Sequence, residues 1–406
     1  MSETAEQYRG FIRGVASWFG AWGVHSAIFS WLLTVKLNAT PEQVGFGQFS
    51  VMLPTLLLIL FGGALADRVD VRKSLIVLHL LSALGPLVLA VLVSADLLSY
   101  NFLLLYGVWL GTITAFIMPA RDTLLSRVAG SDMLKAVAGM TMVQFGCQAV
   151  GNLLAGLAKW TGAAPVLVLQ GIILASGALL IAKIRFPKAA EFSGTPKNQG
   201  IRATNREIMA AIKTVAKDPR LRSTFLMSLT VAFCFAGPFY VIFPLIVRDS
   251  YGGSVLLLAI IMTLFALGNI GGSFWIRRLG GLKKRGQSAL VSILLGSLLL
   301  LLISLDLAVA WMAGLTFIWG ISTSIFINAT RTLFQEGAPE HERGRVLSVY
   351  QLALMGAGPM GSTVAGFSSA AIGNHATLAL YAATILVLAM ILWRPVSDAD
   401  AIHNEL

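Results

Sequence analysis

Three amide side chains, Gln144, Gln148 and Asn152, recur every four residues inside one long apolar stretch of the chain. On a helix that spacing makes one stripe of hydrogen-bond donors and acceptors that drifts slowly around the axis, and polar groups deep in apolar spans face the interior. A second stripe, Trp18, Trp22 and His25, runs at i, i+4 and i+7 through an earlier apolar stretch. It pairs ring faces with one titratable imidazole. Asn269, Asn328 and Gln351 add amides from the second half of the chain. Such groups can stack on and hydrogen-bond a neutral or weakly polar organic molecule, and His25 can carry a proton. Each amide taken singly serves equally well as a hydrogen bond between two helices.

Covalent chemistry has no matching constellation. The chain contains no Walker A, H-E-x-x-H or G-x-S-x-G pattern, so neither ATP hydrolysis, zinc proteolysis nor acyl transfer is expected, and no cofactor or metal. Cys147 and Cys234 lie in apolar runs and read as small packing hydrophobes. All 19 acids fall in loops or at the ends of apolar stretches, which leaves no midspan carboxylate. The titratable groups available for proton coupling are His25, His79 and the boundary acids Asp67, Asp96 and Asp306, and His79 is equally a structural histidine near one surface.

The elements that must position these residues are dictated by composition. Of 406 residues 56% are hydrophobic and only 12% charged, with a mean hydropathy of +0.79 and 40 glycines. Soluble proteins are about one-quarter charged, so this chain has lipid as its main solvent. A spanning helix needs about 20 apolar residues. Twelve stretches qualify: 14–35, 44–66, 73–94, 101–120, 136–158, 164–184, 223–247, 254–276, 287–307, 309–330, 346–368 and 375–393. No alternation of polarity recurs, which argues against a β-barrel. The first stretch is too long and too rich in Gly and Trp for a cleaved signal peptide.

Threaded twelve times through a bilayer, the chain puts all but three of its 30 Lys and Arg on the N-terminal side; Lys36, Lys159 and Arg248 fall opposite. Basic loops stay cytoplasmic, so both termini are expected inside, and the net charge of +11 needs no nucleic acid to explain it. Trp160, Trp311 and Trp393 suit interfacial belts, whereas Trp22 is too deep for one. The polar stretch 185–222 divides six spans, residues 1–184, from six more, residues 223–406. Within it Asn205–Asp218 places Ile208, Ile212 and Val215 on one face, the pattern of an interfacial helix lying against anionic lipid.

Sliding the second half onto the first by 210 residues superposes Trp109 on Trp319, Arg121 on Arg331, Asp132 on Glu342 and Lys135 on Arg345. Gly146, Gly151, Ala155 and Gly156 fall on Gly356, Gly361, Ala365 and Gly366, and Asp96 falls on Asp306. The expected fold is therefore an all-α membrane protein with twelve transmembrane helices in two pseudo-symmetric six-helix bundles. Two such halves can rock about a midplane site and expose it alternately to each side.

The segment GGALADRVDVRK, from Gly62 to Lys73, resembles the loop signature of the major facilitator superfamily, G-x-x-x-D-R-x-G-R-K, between the second and third spans. Gly63, Asp67, Arg68, Arg72 and Lys73 fit it, and Asp70 stands where many members carry Gly. MLPTLLLILFGGALADR, FYVIFPLIVRDSYGG and HERGRVLSVYQLALMGAGPMGSTVAG look like the bacterial branch that includes enterobactin and macrolide exporters. The resemblance implies a cytoplasmic gate in which Asp67 faces the start of span eleven, near Val346, while Arg68, Arg72 and Lys73 bridge the halves. Arg121 and Arg331 join the gating set as a repeat pair. The second-half counterpart, GGSFWIRRLGGLKKRG, has lost the aspartate, since Ile276 or Arg277 stands near its place. The antiporter signature on span five is degraded: Gly146, Gly151 and Gly156 survive, and Asn152 occupies the proline position. Span eleven keeps Gly358, Pro359, Gly361 and Gly366, where a proline can bend the helix.

These readings converge on a secondary active exporter of the bacterial inner membrane, monomeric, lipid-embedded and not an enzyme. Its substrate would be a small amphipathic molecule such as a drug, siderophore or metabolite, with protons as the coupling ion. An importer or uniporter of the same fold, or a non-transporting receptor or lipid scramblase, are the alternatives.

Overall fold

Apolar segments in lipid must satisfy their backbone groups internally, and they do so here as helices. The computed structural model describes residues 3–66, 69–128, 133–184, 201–279, 281–282, 284–338 and 343–404, and among these there is no strand. Helix α1 (Glu3–Trp31) ends in a π-helical turn, Leu32–Lys36. It is followed by α2 (Pro41–Ala66), α3 (Val71–Ser94), α4 (Tyr100–Val128), α5 (Met133–Gly156), the short α6 (Ala158–Thr161) and α7 (Ala163–Ala182). After the linker helix α8 (Ile201–Lys217), the seventh stretch is α9 (Pro219–Gly237), a π turn, and α10 (Phe243–Ser250). Then come α11 (Val255–Arg278), α12 (Arg285–Ile303), α13 (Val309–Gly337), α14 (Arg343–Gly356), α15 (Gly358–Ile372) and α16 (Asn374–Asn404).

Every expected apolar stretch is thus helical, and eight helices among the described residues are long and apolar enough to cross a membrane. Helices α1 and α5 are not among the eight; they carry the polar stripes. The eleventh stretch is divided at Ala357, just before Pro359, where the missing N–H prevents α14 from continuing smoothly into α15.

The chain forms two compact units: Met1–Ala39, Phe46–Lys197 and Val247–Thr263 make the first, and Thr40–Gly45, Asn198–Ile246 and Leu264–Leu406 the second. Short segments around the starts of spans two and eight belong to the opposite unit from the rest of those spans. In the first unit Gly156 of α5 packs on Leu256 and Ala259 at the start of α11. In the second, its repeat partner Gly366 packs on Pro41 and Gly45 at the start of α2.

The repeat extends into three dimensions. A Cβ at Gly151 would lie 2.0 Å from the Gly20 carbonyl oxygen, so α5 and α1 touch backbone to backbone. A Cβ at Gly361 would lie 2.0 Å from the Phe233 carbonyl oxygen, the same contact between α15 and α9 inside the second unit. Lipid gives no hydrophobic drive to helix association, and small residues that allow close van der Waals approach supply it instead. Asp96 and Asp306 repeat as well. Both take left-handed conformations, φ 54° and 51°, just beyond α3 and α12.

Helix α8 has its partner set by packing. Ala211 and Val215 are buried with Leu221, Phe334, Val346, Val349 and Tyr350 in a core of the second unit. Met209 and Ile212 remain exposed, and the side chain of Ile208 lies outside the described residues. Of the face expected from the sequence, Val215 is thus turned into the second unit beside Ala211, while Ile212 stays on the open side. The three belt tryptophans, Trp160, Trp311 and Trp393, are all exposed.

Candidate functional site

Helix α1 presents two opposite faces. Gly20 and Gly23 lie against α5, where a Cβ at Gly23 would stand 2.2 Å from the Gln148 carbonyl oxygen. Trp18, Trp22 and His25 lie about 140–160° around the axis from Gly20, at about 100° per residue. The aromatic stripe therefore does not meet the amide stripe of α5, because glycine has already brought those backbones together on the other side. Instead Trp18 packs edge-on to His79 of α3, with ring centroids 6.0 Å apart. His25 Nδ1 lies 3.2 Å from the Tyr106 hydroxyl of α4, and Gln170 Nε2 of α7 donates to that hydroxyl at 3.4 Å and to the Ala21 carbonyl at 3.3 Å. Phe29 closes the cluster 5.0 Å from the His25 ring. Trp18 and His25 are buried; Trp22 is half-buried.

The α5 amides divide in the same manner. Gln144 and Gln148 are half-buried, whereas Asn152 is 2% exposed. Asn152 Oδ1, Gln170 Oε1 and His79 Nε2 are buried without a hydrogen-bond partner among the described residues. His79 Nδ1 bonds the Leu75 carbonyl at 2.8 Å, the structural arrangement weighed for it from the sequence. In the second unit Asn269 is buried and donates to the Phe265 carbonyl one turn back at 3.0 Å. Asn328 donates to the Ser324 carbonyl at 2.8 Å and is exposed, as is Gln351. Asn269 is thus occupied within its own helix bundle.

Of the loop-signature residues, Asp67 and Arg68 lie outside the described residues. Gly62 is a close-approach glycine, its Cβ position 2.2 Å from the Ala115 carbonyl oxygen of α4, while nothing lies within 4 Å of a Cβ at Gly63. Arg72 donates to the carbonyls of Ile181 and Ala182, the last of α7. It caps a helix C-terminus inside the first unit, where a cation also favours the negative end of the dipole. Lys73 is exposed and sits 3.7 Å from Asp70. Asp70 itself, the departure from the family pattern, caps α3 by accepting from the Arg72 and Lys73 amides. Arg121 is buried under Phe19, and Arg331 is half-buried on α13.

The sequence reading passed over Tyr106 and Gln170. Gln170 is the one strongly polar side chain in the apolar run of α7, a signal as clear as that of Gln148; Tyr106 gave none, since a tyrosine near a span end is ordinarily interfacial.

The profile of the Major Facilitator Superfamily matches residues 14–362. The chain is 23% identical over 393 residues to the staphyloferrin A transporter of Staphylococcus aureus, covering 94% of this chain and 93% of that one. It is 25% identical over 391 residues to the multidrug efflux pump Tap of Mycolicibacterium fortuitum, covering 91% and 90%. Among solved structures it superposes on a mutant of the nucleoside transporter NupG with a TM-score of 0.75 at 14% identity, covering 96% of this chain and 99% of that one. A bacterial homologue of the human lysosomal transporter Spinster, solved in an inward-facing and unoccupied conformation, gives a TM-score of 0.70 at 14% identity over 99% and 98%.

Proposed function

The chain belongs to the Major Facilitator Superfamily, a family of membrane transporters and not of enzymes, and we propose that it is a secondary active exporter. It moves a small amphipathic organic molecule out of the cell across the bacterial inner membrane by alternating access, with protons as the coupling ion and both termini cytoplasmic. It works as a monomer. One observation carries the transport reading. Gln144 and Gln148 of α5 and Trp22 of α1 stay half-buried in midspan, flanking a contact too tight to admit them. Amides held against lipid are costly, so midspan amides that are neither buried nor bonded away line water. Rings and neutral amides recognise an organic solute rather than an inorganic ion. A relative named for a siderophore and another named for drugs support the same substrate class.

Proton coupling falls to His25 and its partner Tyr106, because no Asp or Glu side chain is buried among the described residues. That same scarcity of acids favours one second reading, a uniporter of the same fold. Proteoliposomes with an imposed pH gradient separate the two. The exporter concentrates an amphipathic fluorescent dye against its gradient and stops when a protonophore is added; a uniporter only equilibrates it, and a receptor or scramblase leaves it where it was.

A further inference from the structure

Among the described residues, Arg121 is the one Lys, Arg, Asp or Glu whose side chain is buried. It sits near the inner end of α4, beneath the Phe19 ring of α1, with its guanidinium carbon 5.3 Å from the ring centroid. A buried cation is costly unless a counter-charge is held beside it. The counter-charge present is weakly held. Arg121 Nε and Nη2 both donate to a single oxygen, Asp122 Oδ1, at 3.0 and 2.9 Å. Asp122 is the next residue in the chain, and its side chain is 59% exposed against 9% for Arg121. Water therefore solvates the carboxylate while the guanidinium stays shielded, and Nη1 has no protein acceptor among the described residues. The repeat partner Arg331 is followed by Thr332, so this adjacent carboxylate belongs to the first half alone.

We propose that Arg121 is an anion-binding residue of the transport path, that the substrate carries a carboxylate which docks on its guanidinium, and that Asp122 is a resident placeholder which the substrate displaces. A guanidinium offers a planar fork that a carboxylate fills with two parallel hydrogen bonds, a better match than two donors converging on one oxygen. The Phe19 ring fixes the plane of that fork. Trp22 lies three residues along α1 from Phe19, neighbouring it on the helix surface, and is half-buried. The ligand defined by this pairing is an amphipathic acid, its carboxylate at Arg121 and its apolar body along Trp22. Return of Asp122 to Arg121 releases it without leaving a bare buried cation. The inference rests on the exporter reading above and gives its substrate class a charge.

The test uses the purified full chain in nanodiscs with no ion gradient, titrated with 3-phenylpropanoate and with its neutral carboxamide, binding being read by tryptophan fluorescence. Wild type should prefer the acid by at least about tenfold, the scale of a charge-assisted pair. Arg121→Gln should abolish that preference and leave amide binding intact. Asp122→Asn should strengthen acid binding several-fold, because the competitor is gone. Adjacent partners of a purely structural ion pair would instead shift binding in the same direction, and that result overturns the proposal, as does equal affinity for acid and amide in wild type. If Arg121→Gln does not fold, Arg121→Lys keeps the charge and loses the fork: a reduced but surviving preference supports the site, and an undiminished one overturns it. The liposome assay reads uphill movement and not binding, so run with acidic and neutral dyes it separates the two readings: accumulation of neither sinks the exporter reading whatever the binding preference, and accumulation with no preference for the acid in the binding titration sinks only the Arg121 site.

Discussion

His25 Nδ1 and the Tyr106 hydroxyl oxygen lie 3.2 Å apart in the interior of the first unit, with Gln170 reaching the same hydroxyl from a third helix. A group assigned from the sequence to a substrate-lined face is hydrogen-bonded to one neighbouring span, α4, whose hydroxyl is in turn held from α7. Its use in coupling would require that hydrogen bond to break, which makes Tyr106 as informative to mutate as His25.

His25→Ala should leave downhill counterflow of substrate intact and abolish its accumulation against a gradient. Tyr106→Phe should reduce accumulation less, and a double-mutant cycle on unfolding in detergent should give a coupling of about 0.6 kcal/mol, typical of hydrogen bonds between membrane helices. Uphill transport by His25→Ala at wild-type rates would remove the imidazole from coupling.

Gln148→Leu and Asn152→Leu should separate, although the two residues share a stripe. Gln148 is half-buried and should lose substrate affinity by several-fold, whereas Asn152 is buried with an orphaned Oδ1 and should bind normally with equal or higher thermal stability. Equal losses of affinity in both variants would return Asn152 to the water-lined face.

Gly151→Ala and Gly361→Ala should each destabilise the folded protein by about 1–3 kcal/mol, since the added methyl meets a backbone oxygen that cannot move aside. Gly63→Ala meets nothing within 4 Å and should be neutral for stability. Melting temperatures in detergent give all three values, and a neutral Gly151→Ala would contradict the close approach of α1 and α5.

Arg72→Gln should lower stability by about 1 kcal/mol by uncapping the end of α7, while Lys73→Gln, exposed beside Asp70, should not. Asp67→Asn should impair transport at unchanged protein level, consistent with a gating charge. Transport at the wild-type rate in Asp67→Asn would remove the aspartate from the gate.

Reporter fusions fix the orientation. Alkaline phosphatase should be inactive when fused after Leu406 and active when fused after Asp96. The reverse pattern at either site would overturn the threading on which the basic loops were placed inside.

Much of the fold was legible because lipid makes the demand simple. A run of about 20 apolar residues must be a helix, and a repeat at offset 210 must be a duplicated bundle, so Gly151 and Gly361 were paired from the sequence and make the same backbone contact in space. The break at Pro359 was equally readable, because a missing N–H is a local property of the chain. What periodicity reports is which residues share a face; it cannot report which neighbour that face meets. On α1 the two glycines chose α5, and Trp18 and His25 were thereby turned toward α3 and α4. Arg72, which the family resemblance assigned to the gate, caps α7 in this structure, and Asp70 earns its place as the α3 cap only once the helix start is known. The burial of Arg121 was likewise invisible in one dimension, since a cation at the end of an apolar run satisfies the orientation rule whether water or Phe19 surrounds it. Secondary structure follows from the solvent each segment must satisfy, whereas partners follow from which small residues let two backbones touch, and that choice belongs to the tertiary structure.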